Sequence, residues 1–405
     1  MWLPLQSWIK VSLWNLLLVA TLGVILRYKI AFSLLFIDQK HLLHGHSHFA
    51  FAGWITQALM SLLVGYLAKE KGLQVFTRYR FLLYANLLSA YGMLLSFPFQ
   101  GYGSISISFS TLSVFVSYVF AVMYWKDLNR ISKKNSNQSW FKAAVLFNAV
   151  SSLGAFGLAF MMAKHVTNQN WYLAAVYFFL HFQYNGWFFF ACMGLLINGL
   201  PVGITELKYF KIIFRLFFFA CVPAYFLSVL WMPIPLWLYI LVIVSAIMQV
   251  AGLIVLIRVI KSNFPFIKNA ITKPASYLLG LSALALSVKL LLQLGSVIPS
   301  LSQLAFGFHP IVIGYLHLVL LGVITLFILG YAVNYGLINT NKLAVTGIII
   351  FTTGVILNEV VLMSQGVEAI LYKIIPYCNE VLLGVAVIMF SGLLLVNIGI
   401  HYTTR

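Results

Sequence analysis

Acidic residues are scarce in this chain: seven of its 405 positions are Asp or Glu, and all charged residues together make up 8%. A water-facing surface needs far more charge than that, so an ordinary soluble domain is excluded. The three cysteines, Cys192, Cys221 and Cys378, are odd in number, widely spaced and within or beside apolar runs. They provide neither a disulfide framework nor a paired-thiol site. The sequence has no phosphate-binding glycine loop, nucleophile elbow, HExxH pair or nucleic-acid module. It also has no linker long enough to set off a second, soluble domain. The first apolar run, from about Trp8 to Leu26, lacks a small-residue cleavage site after it and reads as a retained helix.

What is present is hydrocarbon and aromatic surface. Hydrophobic residues make up 62% of the chain, 16% of it is aromatic, and the mean hydropathy is +0.99. A membrane-spanning helix needs about 20 mostly apolar residues, and the chain divides into twelve such runs, among them 42–68, 172–199, 210–231 and 310–335. The expected fold is an all-α integral membrane protein, one transmembrane domain over 1–405. The formal charge of +18 comes from short basic clusters between apolar runs, which attract anionic lipid and set orientation; nucleic acid is not the expected partner. Nineteen of these residues, including Lys69, Arg78, Lys133, Lys134 and Arg405, fall on one side, and five, Arg27, Lys29, Lys40, Lys164 and Lys373, on the other. Both termini are therefore expected in the cytoplasm, the chain lying in the cytoplasmic membrane of a bacterium.

One phrase occurs three times inside these runs. It reads His48-Phe-Ala-Phe-Ala-Gly-Trp, then His181-Phe-Gln-Tyr-Asn-Gly-Trp, then His317-Leu-Val-Leu-Leu-Gly-Val, with the copies 133 and 136 residues apart. That period predicts three pseudo-symmetric repeats of four helices, approximately 1–135, 136–270 and 271–405, each with its own imidazole at the same depth. A single membrane histidine is more often a packing residue; three at one repeat position point to function, because an intramembrane ionisable group is expensive. The run from His41 to His48 is denser still. His41, His44 and His48 follow helical spacing while His46 points elsewhere, so the segment can offer imidazoles to two neighbours. His44, His181 and His309 are the candidate metal ligands. Lys289, inside the ninth run, and Glu359, near the outer end of the eleventh, are buried charges that pair with each other or, for Lys289, with a haem propionate.

The phrases suit a porphyrin. Each places a glycine five residues after its histidine, where a plate can approach the backbone, with rings nearby at Phe49, Trp54, Phe182, Tyr184 and Trp187. Neutral imidazole is a good iron ligand, and two axial histidines favour electron transfer over ligand activation.

His46-Ser-His48-Phe-Ala-Phe-Ala-Gly resembles the His-x-His-Leu-Ala-Phe-x-Gly phrase of nitric oxide reductases, and His181-Phe-Gln-Tyr-Asn-Gly resembles their His-Leu-Trp-Val-Glu-Gly. The likeness is to catalytic subunits of the haem-copper oxidase superfamily, which have twelve helices in three groups of four. It implies that His48 and His317 are the axial ligands of a low-spin haem b, and that His181 corresponds to a ligand of the non-haem metal. The high-spin haem ligand is replaced by Tyr315, the helix-seven histidine pair is missing between Glu206 and Pro235, and Asn185 stands where the family has Glu or Tyr. The resemblance thus implies one haem b, or two, with copper not expected. An alternative register has His46 holding a second haem and His181 pairing with His48. The chain is also similar to haem-binding membrane proteins linked to nitric oxide tolerance in bacteria.

The expected work is electron transfer, or the handling of a respiratory gas such as nitric oxide or oxygen, with quinol or cytochrome c as donor and oxidoreductase activity if gas is turned over. Two other readings stay open: a transporter with a histidine-lined proton or metal pathway, and a cofactor-free scaffold subunit. The charge asymmetry makes a direct prediction. A reporter fused after Arg405 reads cytoplasmic and one in the Pro98 to Gly103 connection reads external; the inverse pattern overturns the orientation.

Overall fold

In hydrocarbon no water pairs with the backbone, so a spanning segment must satisfy its own N–H and C=O groups, and a helix does this within one segment. The computed structural model describes residues 4–131, 136–205, 208–371 and 375–401, and among these it contains helices and their connections but no strand. Lys133, Lys134, Lys373, Arg405 and the side chain of His309 lie outside the described residues.

Ten of the described helices are long and apolar enough to cross a membrane, among them Leu5–Phe32, Gln39–Lys71, Leu236–Ser262, Lys273–Gly295 and Pro310–Asn334. An eleventh arises if Lys208–Cys221 and Pro223–Val229, bent by 46°, count as one span. The bend falls where Pro223 removes a backbone donor. The helix that carries His181 runs unbroken through Gln169–His181, Phe182–Phe188 and Phe189–Gly199. It is not among the ten, because His181, Gln183 and Asn185 lower the hydropathy of its middle.

Contacts divide the chain into two compact units, Met1–Val122 with Thr325–Arg405, and Met123–Ile324. In the first, Leu5–Phe32 packs on Cys378–His401, which lies along Lys342–Leu371. Glycines let the last two touch backbone to backbone. A Cβ on Gly392 would stand 2.5 Å from Phe351 N, and one on Gly347 would stand 2.6 Å from Gly392 O. In the second, Trp140 is fully buried and packs against Phe189, Phe190, Phe214 and Phe217, with ring centroids 5.2 to 6.4 Å apart.

Each of the three histidine phrases departs from the α-helix in the same way. π-Helix begins just after each histidine: Ala50–Thr56 after His48, Phe182–Phe188 after His181 and Leu318–Thr325 after His317. π-Helix is rare and concentrates at functional sites, and its wider turn breaks the i→i+4 ladder. Carbonyls loosened in that way need partners from neighbouring helices. Asn86 Nδ2 donates to Ala52 O at 3.0 Å and Asn15 Nδ2 to Gly53 O at 2.6 Å. In the third phrase Ser282 Oγ donates to Val323 O at 2.7 Å, and in the second Cys221 Sγ faces Asn185 O at 3.8 Å. Asn15 is itself oriented by Tyr91, whose hydroxyl donates to Asn15 Oδ1 at 2.7 Å, and Asn86 also donates to Gln57 Oε1 at 2.8 Å. Replacing Asn86 by Leu strands two buried acceptors, so Asn86→Leu is expected to cost about 1–3 kcal/mol. Thermal unfolding in detergent measures this, and an unchanged midpoint contradicts the role given to Asn86.

Candidate functional site

The first histidine segment is fixed at its start by Asp38. Its carboxylate accepts from His41 N at 2.8 Å and is held below the usual carboxylate range chiefly by that bond. From there the helix turns its histidines to different neighbours. The His46 ring comes within 3.6 Å of where a Cβ on Gly23 would lie, and so faces the first helix. His44 and His48 face Phe97 and Tyr102 instead. The His48 ring lies flat on Phe97, centroids 4.4 Å apart and planes 10° apart, while His44 meets Tyr102 edge-on at 4.7 Å. His44 Nε2 is buried with no hydrogen-bond partner among the described residues.

Tyr102 reaches this group through a glycine turn. Gly101 has φ +56°, a conformation that favours glycine, and a Cβ there would strike the His41 ring at 2.5 Å. The turn leaves the Tyr102 hydroxyl 3.3 Å from His48 Nε2. Burial pushes the Tyr102 pKa up, so the hydroxyl keeps its proton and is the donor.

His181 is in a different position. It is fully buried, and both ring nitrogens are engaged: Nε2 lies 2.8 Å from Cys221 O and Nδ1 lies 3.1 Å from Asn185 Nδ2. A carbonyl can only accept, so Nε2 carries the proton and Nδ1 accepts from the amide. That choice turns Asn185 Oδ1 the other way, where it accepts from Lys289 Nζ at 2.5 Å. The buried ammonium is thus met by an amide oxygen, and Glu359 accepts from Asn358 Nδ2 at 3.3 Å.

His317 is half-buried, and its Nδ1 lies 2.8 Å from Ile313 O. That carbonyl makes Nδ1 the donor and Nε2 the lone-pair nitrogen, the arrangement in which a backbone carbonyl prepares a histidine to ligate metal. Two residues earlier on the same helix, Tyr315 places its ring 6.2 Å from that of Tyr184.

The residues fit a haem unequally. His317 presents the correct tautomer, and His48 has one long contact at Nε2 that a stronger ligand can displace. His181 does not fit as it stands, because iron at either nitrogen requires a 2.8 or 3.1 Å hydrogen bond to break. Among the described residues no three His, Cys, Asp or Glu side chains converge as a metal-ligand set. The phrase glycines admit flat groups, but at two of them these are phenyl rings. A Cβ on Gly53 would meet Phe49 at 2.6 Å and one on Gly186 would meet Phe147 at 2.5 Å, whereas at Gly322 the nearest atom is Ala285 Cβ at 3.1 Å.

Tyr102, Phe97 and Cys221 were not singled out by the sequence as part of these sites. For Tyr102 a signal exists in the Gly101-Tyr102-Gly103 turn, but nothing in the sequence says that this turn closes over His48. No family model and no curated protein matches the chain.

Asn185 joins two buried groups that each need it. Asn185→Leu is expected to destabilise the protein by several kcal/mol, because it leaves a buried ammonium and an imidazole acceptor unpaired. Adding Lys289→Met is expected to recover part of the loss. Unfolding of the single and double variants in detergent checks this, and strict additivity contradicts the coupling.

Proposed function

We propose that the chain is a bacterial cytoplasmic-membrane protein that holds a haem b through His48 and His317 and works in electron transfer or the handling of a respiratory gas. The observation that carries the reading is the bond of His317 Nδ1 to Ile313 O at 2.8 Å, which sets the tautomer of that ring. It is supported by the flat seating of His48 on Phe97. A haem held by His48 and His317 would supply one-electron chemistry. The chain's own part is to hold the ring tautomers, exclude water and keep the site inside the membrane.

Twelve helices in three four-helix repeats, both termini cytoplasmic, complete the proposal. The shared π-helical turn at each phrase supports the repeat, and the basic clusters support the orientation and an anionic-lipid surroundings. Quinol or cytochrome c is the proposed donor, and nitric oxide or oxygen the proposed gas. The register that pairs His181 with His48 ranks second, because His181 is already saturated with hydrogen bonds. A transporter is the rival from another class. Lys289, buried and bonded to an amide, is the observation in its favour.

The test is the absorption spectrum of purified, reduced protein. A sharp b-type spectrum is expected, converted or abolished in His48→Ala and in His317→Ala and largely intact in His181→Ala. If both of the first two variants keep the wild-type spectrum, the ligand assignment is wrong. Loss in His48→Ala and His181→Ala, with His317→Ala unaffected, selects the other register. Well-folded protein without haem selects the transporter or scaffold.

A further inference from the structure

We infer that a single internal water is bound between Lys289 and Gln249, as a built site separate from the histidine pair proposed to hold haem. The ammonium of Lys289 has three donors and spends one on Asn185 Oδ1. Burying such a group in an apolar span is costly unless its other donors find acceptors. A cavity lies beside it, lined by Lys289, Gln249, Asn185 and Cys221 together with phenyl rings including Phe189 and Phe217. It gives its occupant's centre about 10 Å³, close to what one water needs.

The second, independent observation is Gln249. Its side chain is 4% exposed, it lines this cavity, and its Oε1 is buried with no hydrogen-bond partner among the described residues. A buried amide oxygen without a donor costs about 1–3 kcal/mol, and a buried ammonium short of acceptors costs more. One water resolves both by accepting from Lys289 Nζ and donating to Gln249 Oε1. The neighbouring cavity, lined by Lys289, Tyr184 and Asn185 with Leu286, Val319, Val323 and Ile324, differs in that none of its lining side chains has a buried polar atom without a partner among the described residues.

The water completes a chain of polar contacts across four helical segments. It runs from Gln249 in Leu236–Ser262, through the water, to Lys289 in Lys273–Gly295, then to Asn185 and His181 at Phe182–Phe188, and ends on Cys221 O in Lys208–Cys221. The protein thereby keeps one hydrated cation inside the membrane span of its second unit.

The test uses the full chain in lipid nanodiscs, with infrared difference spectra of the O–H stretch in ordinary and oxygen-18 water, alongside a high-resolution density map of the wild type. The wild type is expected to show one isotope-sensitive band and one density peak within hydrogen-bond reach of both Lys289 Nζ and Gln249 Oε1. Gln249→Leu should lose the band. Gln293→Leu should keep it, since Gln293 is also buried with an unbonded Oε1 among the described residues but does not line the cavity. A band that survives in Gln249→Leu overturns the inference, as does wild-type density with Nζ bonded directly to Oε1 and no water. If Gln249→Leu does not fold, the wild-type map decides alone. The haem reading is untouched by either result, because its spectrum is read on His48 and His317.

Discussion

Within the apolar spans every polar group has to find its partner inside the protein. Most of what distinguishes this chain from a plain bundle of hydrophobic helices follows from that demand. The three π-helical turns loosen backbone carbonyls in the middle of a span, and each is answered by a side chain from another helix: Asn15 and Asn86, Cys221, and Ser282. Those residues look out of place in apolar runs. They are the condition for the turns to exist, and the turns follow immediately on the histidines.

The same phrase ends in three chemically different situations. At His181 the requirement is met locally, by Cys221 O and Asn185, and the ring has no nitrogen to spare. At His317 a carbonyl of its own helix holds Nδ1, which fixes the tautomer. At His48 the ring is held by stacking on Phe97 and a long contact with Tyr102, the weakest restraint of the three. Repetition supplied three imidazoles. The neighbours decide how each ring is held.

The helices themselves were legible in the sequence because span length and hydropathy are local properties. The run expected over 42–68 is Gln39–Lys71, and the one expected over 310–335 is Pro310–Asn334. Helices also continue past the apolar core into polar residues, as at the start of Val75–Gln100. The π-turns were not legible, since one residue gained in a helix leaves the hydrophobic pattern almost unchanged. Nor was Asn185 as the partner of Lys289: 104 residues separate them, and only the packing of helices brings them together. At Gly53 and Gly186 the flat group beside the phrase glycine is a phenylalanine of the chain itself.

The account stands or falls on whether His48 and His317 together bind iron. Electron paramagnetic resonance of the oxidised, purified wild-type protein, with haem quantified on the same sample, tests this most directly. The account predicts a low-spin ferric signal of bis-imidazole type at about one haem per chain, given that both axial positions are filled. A high-spin signal, or folded protein with no haem, would contradict it.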